Sequence, residues 1–397
     1  MARLLPDWLD SYLTFTKNTE PSTLYKKWCG ISTIAACLQR RVWLNWIFDE
    51  PTFANLYVVL VGPSAARKGS AMGPAMRMLR DIGVPMCVDA TTAQALVHRL
   101  IGSVLSFQNI KTGEIILHNS LTAFSPEFSV LLGHQNIDLL THLTDWYDCR
   151  EPWIRDTRSH GEERVERVWM NLIGATTPML LNDSLIRLAA GAGLTSRIIF
   201  VYADGKEQTI PFSVMTKEEE KLRNMLIEDL NSMLVLTGPF QYTPSFTERY
   251  VKWYEQSDRN PPFRDYHLEH YLGRRATHMR KLSMLFSASR SSELVLDSID
   301  FDGALALLVE TERIMPRVFM GVGKADNAEL FPRLMGAIAS QREVSVGKLL
   351  ELFYRDMTRE ELGTMLQVLA SIEPPFIILE YRGEGRSKTL YAIYKGA

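Results

Sequence analysis

Lys68 is the residue on which phosphate chemistry would turn. It lies in Leu56-Tyr-Val-Val-Leu-Val-Gly-Pro-Ser-Ala-Ala-Arg-Lys-Gly-Ser70, a β-branched apolar run and a turn-rich loop, followed by Ala71–Leu79, which reads as helix. A strand that feeds a tight loop into a helix N-terminus makes an anion cradle, because free backbone N–H groups and the positive end of the helix dipole converge there. Against the pattern Gly, four residues, Gly-Lys, Ser or Thr, both Gly62 and Lys68 are correctly spaced. Arg67 stands where the second Gly belongs, Gly69 takes the place of the metal-binding hydroxyl, and Ser70 falls one position late. Gly62, Pro63, Ser64, Arg67, Lys68, Gly69 and Ser70 are therefore the candidates for a nucleotide phosphate chain, with Ser70 also a candidate for magnesium.

Such chemistry also needs a carboxylate at the tip of a neighbouring strand, to hold magnesium through water or to polarise an attacking water. Glu127, at the end of Ser120-Leu-Thr-Ala-Phe-Ser-Pro-Glu127, fits that need, although Pro126 and not Asp precedes it. Met170-Asn-Leu-Ile-Gly-Ala-Thr-Thr-Pro178 reads as a buried strand ending in hydroxyls, and Thr176 or Thr177 at its tip would reach a γ-phosphate. Arg197, between a glycine-rich loop and the strand Ile198–Tyr202, has the placement of an arginine that reaches a neighbouring subunit's nucleotide. For nucleic acid, the alternating stretch Trp153–Trp169 around Ser159-His160-Gly161 predicts a β-hairpin carrying Arg155, Arg158, His160, Arg164 and Arg167. Glu162, Glu163 and Glu166 on the same stretch support the equal alternative of a solvated edge hairpin with cancelled charge.

These residues need a parallel sheet to hold them. Val84–Asp89 (strand), Ala93–Leu105 (helix), Gly113–His118 and Ser120–Glu127 (two strands) continue the alternation begun by the loop, which is the pattern of an α/β fold. Residues 4–46 read as a helical lid or collar ending in a strand-like Arg41–Trp46, and Lys217–Leu236, Thr247–Gln256, His267–Arg290 and Asp302–Arg313 as an all-α region. After a linker at Met315–Asp326, three short helices and a terminal hairpin, Phe376–Tyr394, have the make-up of a winged helix. Its turn carries Arg382, Arg386 and Lys388, candidates for duplex DNA. The expected divisions are 1–50, 51–214, 215–322 and 323–397.

The 397 residues are 46% hydrophobic and 23% charged, enough for a large core, and no run approaches membrane-spanning length. Met1–Asp10 lacks a signal-peptide core, so a cytoplasmic location is expected. Four cysteines without Cys-x-x-Cys spacing, and histidines without His-Glu-x-x-His, argue against a disulfide framework and a zinc site. A net charge of −2 neither announces a nucleic-acid binder nor excludes one whose basic residues are confined to one surface.

Taken together, Trp28–Ala36, Asn55–Ser64 with Arg67-Lys68, Phe124-Ser-Pro-Glu-Phe128, Asn171–Pro178, Thr195–Val201 and His278-x-Arg-Lys-Leu282 resemble the helicase-type ATPases of phages and prophages, including the helicase part of primase–helicases. The resemblance covers most of residues 1–320 and implies an AAA+-like P-loop core that binds ATP and Mg2+. It implies that Lys68 holds β- and γ-phosphates, that Glu127 is the Walker B carboxylate, that Thr176 or Asn171 is a first sensor, and that Arg197 is the finger. Arg274, Arg275 or Arg280 would supply a second sensor. The implied protein is a ring, hexameric in such families, that moves on DNA, single-stranded first and double-stranded as a second substrate, beside a primase or polymerase. The alternative is an ATP-binding, hydrolysis-poor initiator or loader; a small-molecule kinase is disfavoured by the length and the appended winged helix.

Overall fold

A computed structural model describes residues 3–47, 50–88, 93–109, 112–132, 137–157, 161–181, 193–212, 214–257, 259–265, 268–319, 330–354, 356–371, 377–382 and 388–395. The chain divides into two compact units, Met1–Met320 and Gly321–Ala397. In order, the first holds α1 (Trp8–Phe15), α2 (Thr23–Leu38), β1 (Val42–Ile47), β2 (Glu50–Phe53), β3 (Tyr57–Val61), α3 (Lys68–Asp81), β4 (Met86–Val88), α4 (Ala93–Gly102), β5 (Val104–Gln108), β6 (Ile115–Ser125), α5 (Phe128–Leu132) and α6 (Ile137–Tyr147). It continues with β7 (Trp153–Thr157), β8 (Gly161–Val165), β9 (Val168–Thr176), α7 (Pro178–Leu181), β10 (Ile198–Tyr202), α8 (Lys217–Leu234), β11 (Gly238–Tyr242), α9 (Pro244–Ser257), α10 (Glu269–Arg290), β12 (Val295–Leu296) and α11 (Ser298–Glu312).

The central sheet runs β10-β3-β9-β6-β4, parallel throughout, with β5 added antiparallel to β6. Every residue of β3 and β9 is buried, as expected of strands covered on both faces, and both are dominated by apolar residues, with Asn171 and the terminal Thr176 the polar exceptions in β9. The chain leaves β3 for the far edge at β4, steps back through β6 and β9, and then passes to the other side of β3 at β10. The carboxyl ends of strands around such a reversal form the crevice in which open α/β sheets bind ligands.

Several expectations require correction. The helix expected over Ala93–Leu105 stops at Gly102, and residues from Val104 form β5; the two strand-like runs after it are one strand, β6. The Glu127-bearing strand is not beside β3, because β9 lies between them. Helix α2 is no collar: fourteen of its sixteen residues are buried, and it packs on α3, α8 and α10. The 215–322 segment is not all-α. Its β11 pairs in parallel with β1 (Val42 opposite Gly238) and β12 with β11, closing a second sheet, β12-β11-β1-β2. Short strands of mixed polarity such as Gly238-Pro-Phe-Gln-Tyr242 carry no alternation strong enough to announce themselves.

The second unit consists of α12 (Leu330–Gln341), β13 (Glu343–Ser345), α13 (Val346–Phe353), α14 (Arg359–Ser371), β14 (Ile377–Arg382) and β15 (Thr389–Tyr394). Its antiparallel sheet, ordered β13-β15-β14, closes over a core that includes Leu334, Ile338, Leu349, Leu362, Leu366 and Ile377. Thr358 and Glu361 cap α14 reciprocally, Glu361 N–H donating to Thr358 Oγ1 (3.3 Å) and Thr358 N–H to Glu361 Oε2 (2.7 Å).

Candidate functional site

At the carboxyl end of β3 the chain turns through Gly62–Ala66 into α3. Position 67 flanks the helix with φ 58° and ψ 30°, the left-handed conformation a glycine adopts without cost. At the position where the phosphate-loop pattern has its second glycine, an arginine thus holds a backbone conformation that favours glycine. Arg67 is tied down by its Nε–H to Glu20 Oε2 (2.7 Å), a carboxylate that also receives Lys206 Nζ (3.1 Å) and the Ile210 N–H (3.2 Å). The Lys206 and Ile210 hydrogen bonds, followed by the charge of Arg67, hold Glu20 below the usual carboxylate range.

Helix α3 has no side-chain cap, so the N–H groups of Lys68, Gly69 and Ser70 lack intrahelical acceptors and point out of the helix start. Lys68 is buried, and its Nζ donates to the carbonyls of Gly62 (2.7 Å) and Pro63 (2.8 Å), curling its charge over the loop with a third proton to spare; burial lowers its pKa. Gly62 is sterically required, since a Cβ there would lie 2.5 Å from both Ala203 O and Tyr25 Oη. Tyr25 fixes the loop mouth by donating to Val61 O at 2.6 Å. Gly69, by contrast, has nothing among the described residues within 4 Å of a Cβ, so they leave room for the hydroxyl missing from the pattern. Pro63, Ser64, Gly69 and Ser70 are solvent-exposed.

The strand tips beside the loop follow from the register. Val61 is opposite Thr176, whose carbonyl accepts the Gly62 N–H (3.3 Å), and Ser125 is opposite Gly174. Glu127, two residues past Ser125, is therefore exposed along the same edge. Gly174 makes this possible: a Cβ there would strike the Phe128 ring at 2.9–3.0 Å, so its absence lets the start of α5 close on β9. The same approach brings Ser129 Oγ to 2.8 Å from Thr176 Oγ1. Ser129 was not singled out in the sequence, where nothing distinguishes it from other helix-start serines. Loop, Lys68, Thr176 and Glu127 thus share one edge, while Ser70 lies in the first turn of α3.

Other candidates lie elsewhere. Asn171 and Arg197 are at the opposite edge of the sheet: Asn171 precedes Leu172, which is opposite Tyr57, and Arg197 precedes Ile198, also opposite Tyr57. From that level to Val61 is five strand residues, about 16 Å at roughly 3.3 Å each. Asn171 is wholly buried between elements, accepting the Leu56 N–H (2.9 Å) and donating to Ser32 O (3.2 Å), and is no sensor of the loop. Arg197 turns inward, bonding Asp148 Oδ2 (2.5 Å) and Gly193 O (2.8 Å). Arg274 joins the same carboxylate at 2.8 Å, and although burial raises the Asp148 pKa, the two guanidinium groups outweigh it and lower the pKa overall. Arg275 is consumed by a buried bidentate pair with Glu312 (2.6 and 2.8 Å), and Arg280 donates to Tyr250 Oη (2.7 Å). None of these three serves the loop as a second sensor; a helix as buried as α10 must satisfy its cations locally. Asp148, the node of this cluster, was visible only as the end of Asp145-Trp-Tyr-Asp148.

On the β7–β8 hairpin Arg155 pairs with Glu163 (3.6 Å) and Arg164 with Glu166 (2.6 Å), and Arg167 pairs with Glu151 (3.7 Å). The hairpin exists, with its charge largely cancelled; Arg158 and His160 lie outside the described residues. In the second unit Arg382 bridges Glu343 (2.5 Å) and Glu380 (3.1 Å), Lys388 is exposed, and Arg386 lies outside the described residues. Among the described residues there is no cluster of three acidic, histidine or cysteine side chains that could hold a metal, and no helix long and apolar enough to cross a membrane. Compared with known proteins, the chain matches no protein-family model and no curated sequence.

Proposed function

We propose that the chain binds ATP at the Gly62–Ser70 loop and turns it over to move on DNA, as a ring-forming helicase or translocase of a phage or mobile-element replication system. One observation carries the reading: an uncapped helix start, a left-handed residue before it and a lysine curled over the turn, at the carboxyl end of a parallel sheet beside its topological reversal. The donor set fits a triphosphate: three free amides and one ammonium face an exposed turn. Magnesium of this class is held mainly by phosphate oxygens and water with one or two protein groups, so Ser70 and Glu127 suffice as its candidates. When bound, it would neutralise charge building up on the phosphates. In this reading Thr176, whose hydroxyl meets Ser129 Oγ, contacts the terminal phosphate, and Glu127 orients a water.

The order of elements in the second unit, helix, strand, two helices and two strands, supports reading it as a winged helix that contacts duplex DNA through Arg382 and Lys388 at the facing ends of β14 and β15. The absence of a hydroxyl at Gly69 and of an Asp before Glu127 favours a second reading, an ATP-binding initiator or loader that hydrolyses poorly. The test is phosphate release with and without single-stranded DNA, for wild type and Lys68→Ala, with mass photometry of the same samples. DNA-stimulated release by a ring, lost in Lys68→Ala, supports the translocase. ATP binding without stimulated release supports the loader, and unchanged release in Lys68→Ala refutes the loop assignment.

A further inference from the structure

At the opposite edge of the central sheet from the loop, α10, the end of α6 and β2 enclose a cleft of about 570 Å³. That is within the usual range for small-ligand sites. Five cations line it, Arg40, Arg150, Arg274, Arg280 and Lys281, against the carboxylates Glu50, Asp148 and Glu151. The carboxylates are unevenly shared. Glu151 pairs with Arg40, and Asp148 takes Arg274 (2.8 Å) together with Arg197 (2.5 Å) from behind the cleft wall. Arg280 and Lys281, only 7% and 3% exposed, are left with neutral partners. Arg280 bonds the hydroxyls of Tyr250 (2.7 Å) and Thr277 (3.2 Å), and its buried Nε–H has no acceptor among the described residues. Lys281 donates to Asn55 Oδ1 (2.5 Å) and lies over the Tyr147 ring at 4.3 Å.

Buried cations are rare unless paired, and two adjacent ones without a carboxylate of their own call for a counter-charge from outside the chain. We propose that this cleft is a second anion site, which binds the diphosphate end of a small ligand independently of the Gly62–Ser70 loop. Its recognition is by charge and not by stacking. Each aromatic wall already carries a cation over one face, Phe53 the Arg40 guanidinium at 4.2 Å and Tyr147 the Lys281 ammonium, which leaves less ring surface for a base. Thr277 supplies a neutral hydroxyl at the wall, and Arg150, 73% exposed and 4.0 Å from Asp148, a movable cation at the rim.

The test is calorimetric titration of full-length Lys68→Ala protein, in which the loop lysine is gone, with inorganic pyrophosphate, ADP and adenosine. Pyrophosphate and ADP should each bind once per chain with affinities within about threefold of each other, and adenosine should not bind. Adding Thr277→Glu or Arg280→Gln should weaken pyrophosphate at least tenfold, the scale of one charge-assisted hydrogen bond. Arg150→Glu, at an exposed position that the core does not depend on, should weaken it in the same direction, so that the result stands even if a buried variant unfolds. No pyrophosphate binding to Lys68→Ala, binding unaffected by Arg150→Glu, or adenosine binding alone would each overturn the site. A failure of the loop reading would instead show as unchanged ATP turnover in Lys68→Ala, which leaves this titration intact.

Discussion

Position 67 offers a test in which the usual order of two residues should invert. In a helix interior Ala is more stable than Gly by about 1 kcal/mol. At the left-handed φ of 58° found for Arg67, any residue with a Cβ carries a penalty of roughly 1–2 kcal/mol that Gly escapes. Against this, Gly loses about 0.5–1 kcal/mol through its freer unfolded chain. Arg67→Gly and Arg67→Ala both give up the ion pair to Glu20, a small, solvent-screened contribution because Arg67 is 51% exposed. That term cancels when the two variants are compared. Arg67→Gly should therefore be more stable than Arg67→Ala by about 0.5–1 kcal/mol and close to wild type, and Arg67→Val should be the least stable of all. Urea denaturation followed by tryptophan fluorescence, with slopes compared to confirm that only the midpoint moves, measures this. An Ala variant as stable as the Gly variant would mean that residue 67 is not held in the left-handed region, and the likeness of this loop to a phosphate cradle would fail with it.

Three further outcomes are expected. Gly69→Ser places a hydroxyl where a Cβ meets nothing within 4 Å, so the fold should be unaffected and magnesium-dependent ATP turnover should rise severalfold; unchanged turnover across a magnesium titration would count against the metal placement. Gly174→Val should force Phe128 off β9, destabilising the protein by about 1–3 kcal/mol and lowering turnover through Glu127 and Ser129; a variant with wild-type stability and rate would refute the role given to that close approach. Burial pushes Lys281 from 10.5 down to about 8, so between those values the unfolded chain holds the extra proton and stability rises with pH. The rise attributable to Lys281 is on the order of 3 kcal/mol, present in wild type and absent from Lys281→Met; equal slopes in the two proteins would show that Lys281 titrates normally.

The strand-loop-helix around Lys68 was legible because five consecutive buried β-strand residues and a turn-rich loop leave little other reading. The capped α14 was legible for the same kind of reason, a local pattern with a local cause. What escaped was non-local. The roles given to Arg197, Arg274, Arg275 and Arg280 depend on which carboxylates or hydroxyls the fold delivers to them, and Asp148, Glu312 and Tyr250 lie between 30 and 49 positions away. Arg274 is farther still from its partner, 126 positions from Asp148. Gly174 and Ser129 escaped because close approach between a strand and a helix leaves no periodic signature. The Arg67 departure from the pattern pointed away from a phosphate loop by residue type, whereas its left-handed backbone is one that a glycine adopts without cost.

The sheet that joins β1 to β11 has a consequence for synthesis. The amino-terminal residues are finished last: Trp8 Nε1 donates to Leu226 O (3.0 Å), the amides of Leu4 and Leu5 to Asp229 (2.8 and 3.1 Å), and the Arg3 guanidinium to the carbonyl of Ser289 (2.7 Å). Val42 waits for Gly238 before its strand has a partner on that side. At about 5–20 residues per second, the first forty residues emerge from the ribosome on the order of 10–40 seconds before the chain that completes them. During that interval the apolar face of α2 must be shielded by a chaperone or by provisional packing, and pairings of such long sequence separation close slowly. A nascent chain arrested shortly before residue 238 should accordingly remain protease-sensitive at its amino terminus, and become resistant only once β11, α10 and β12 have emerged.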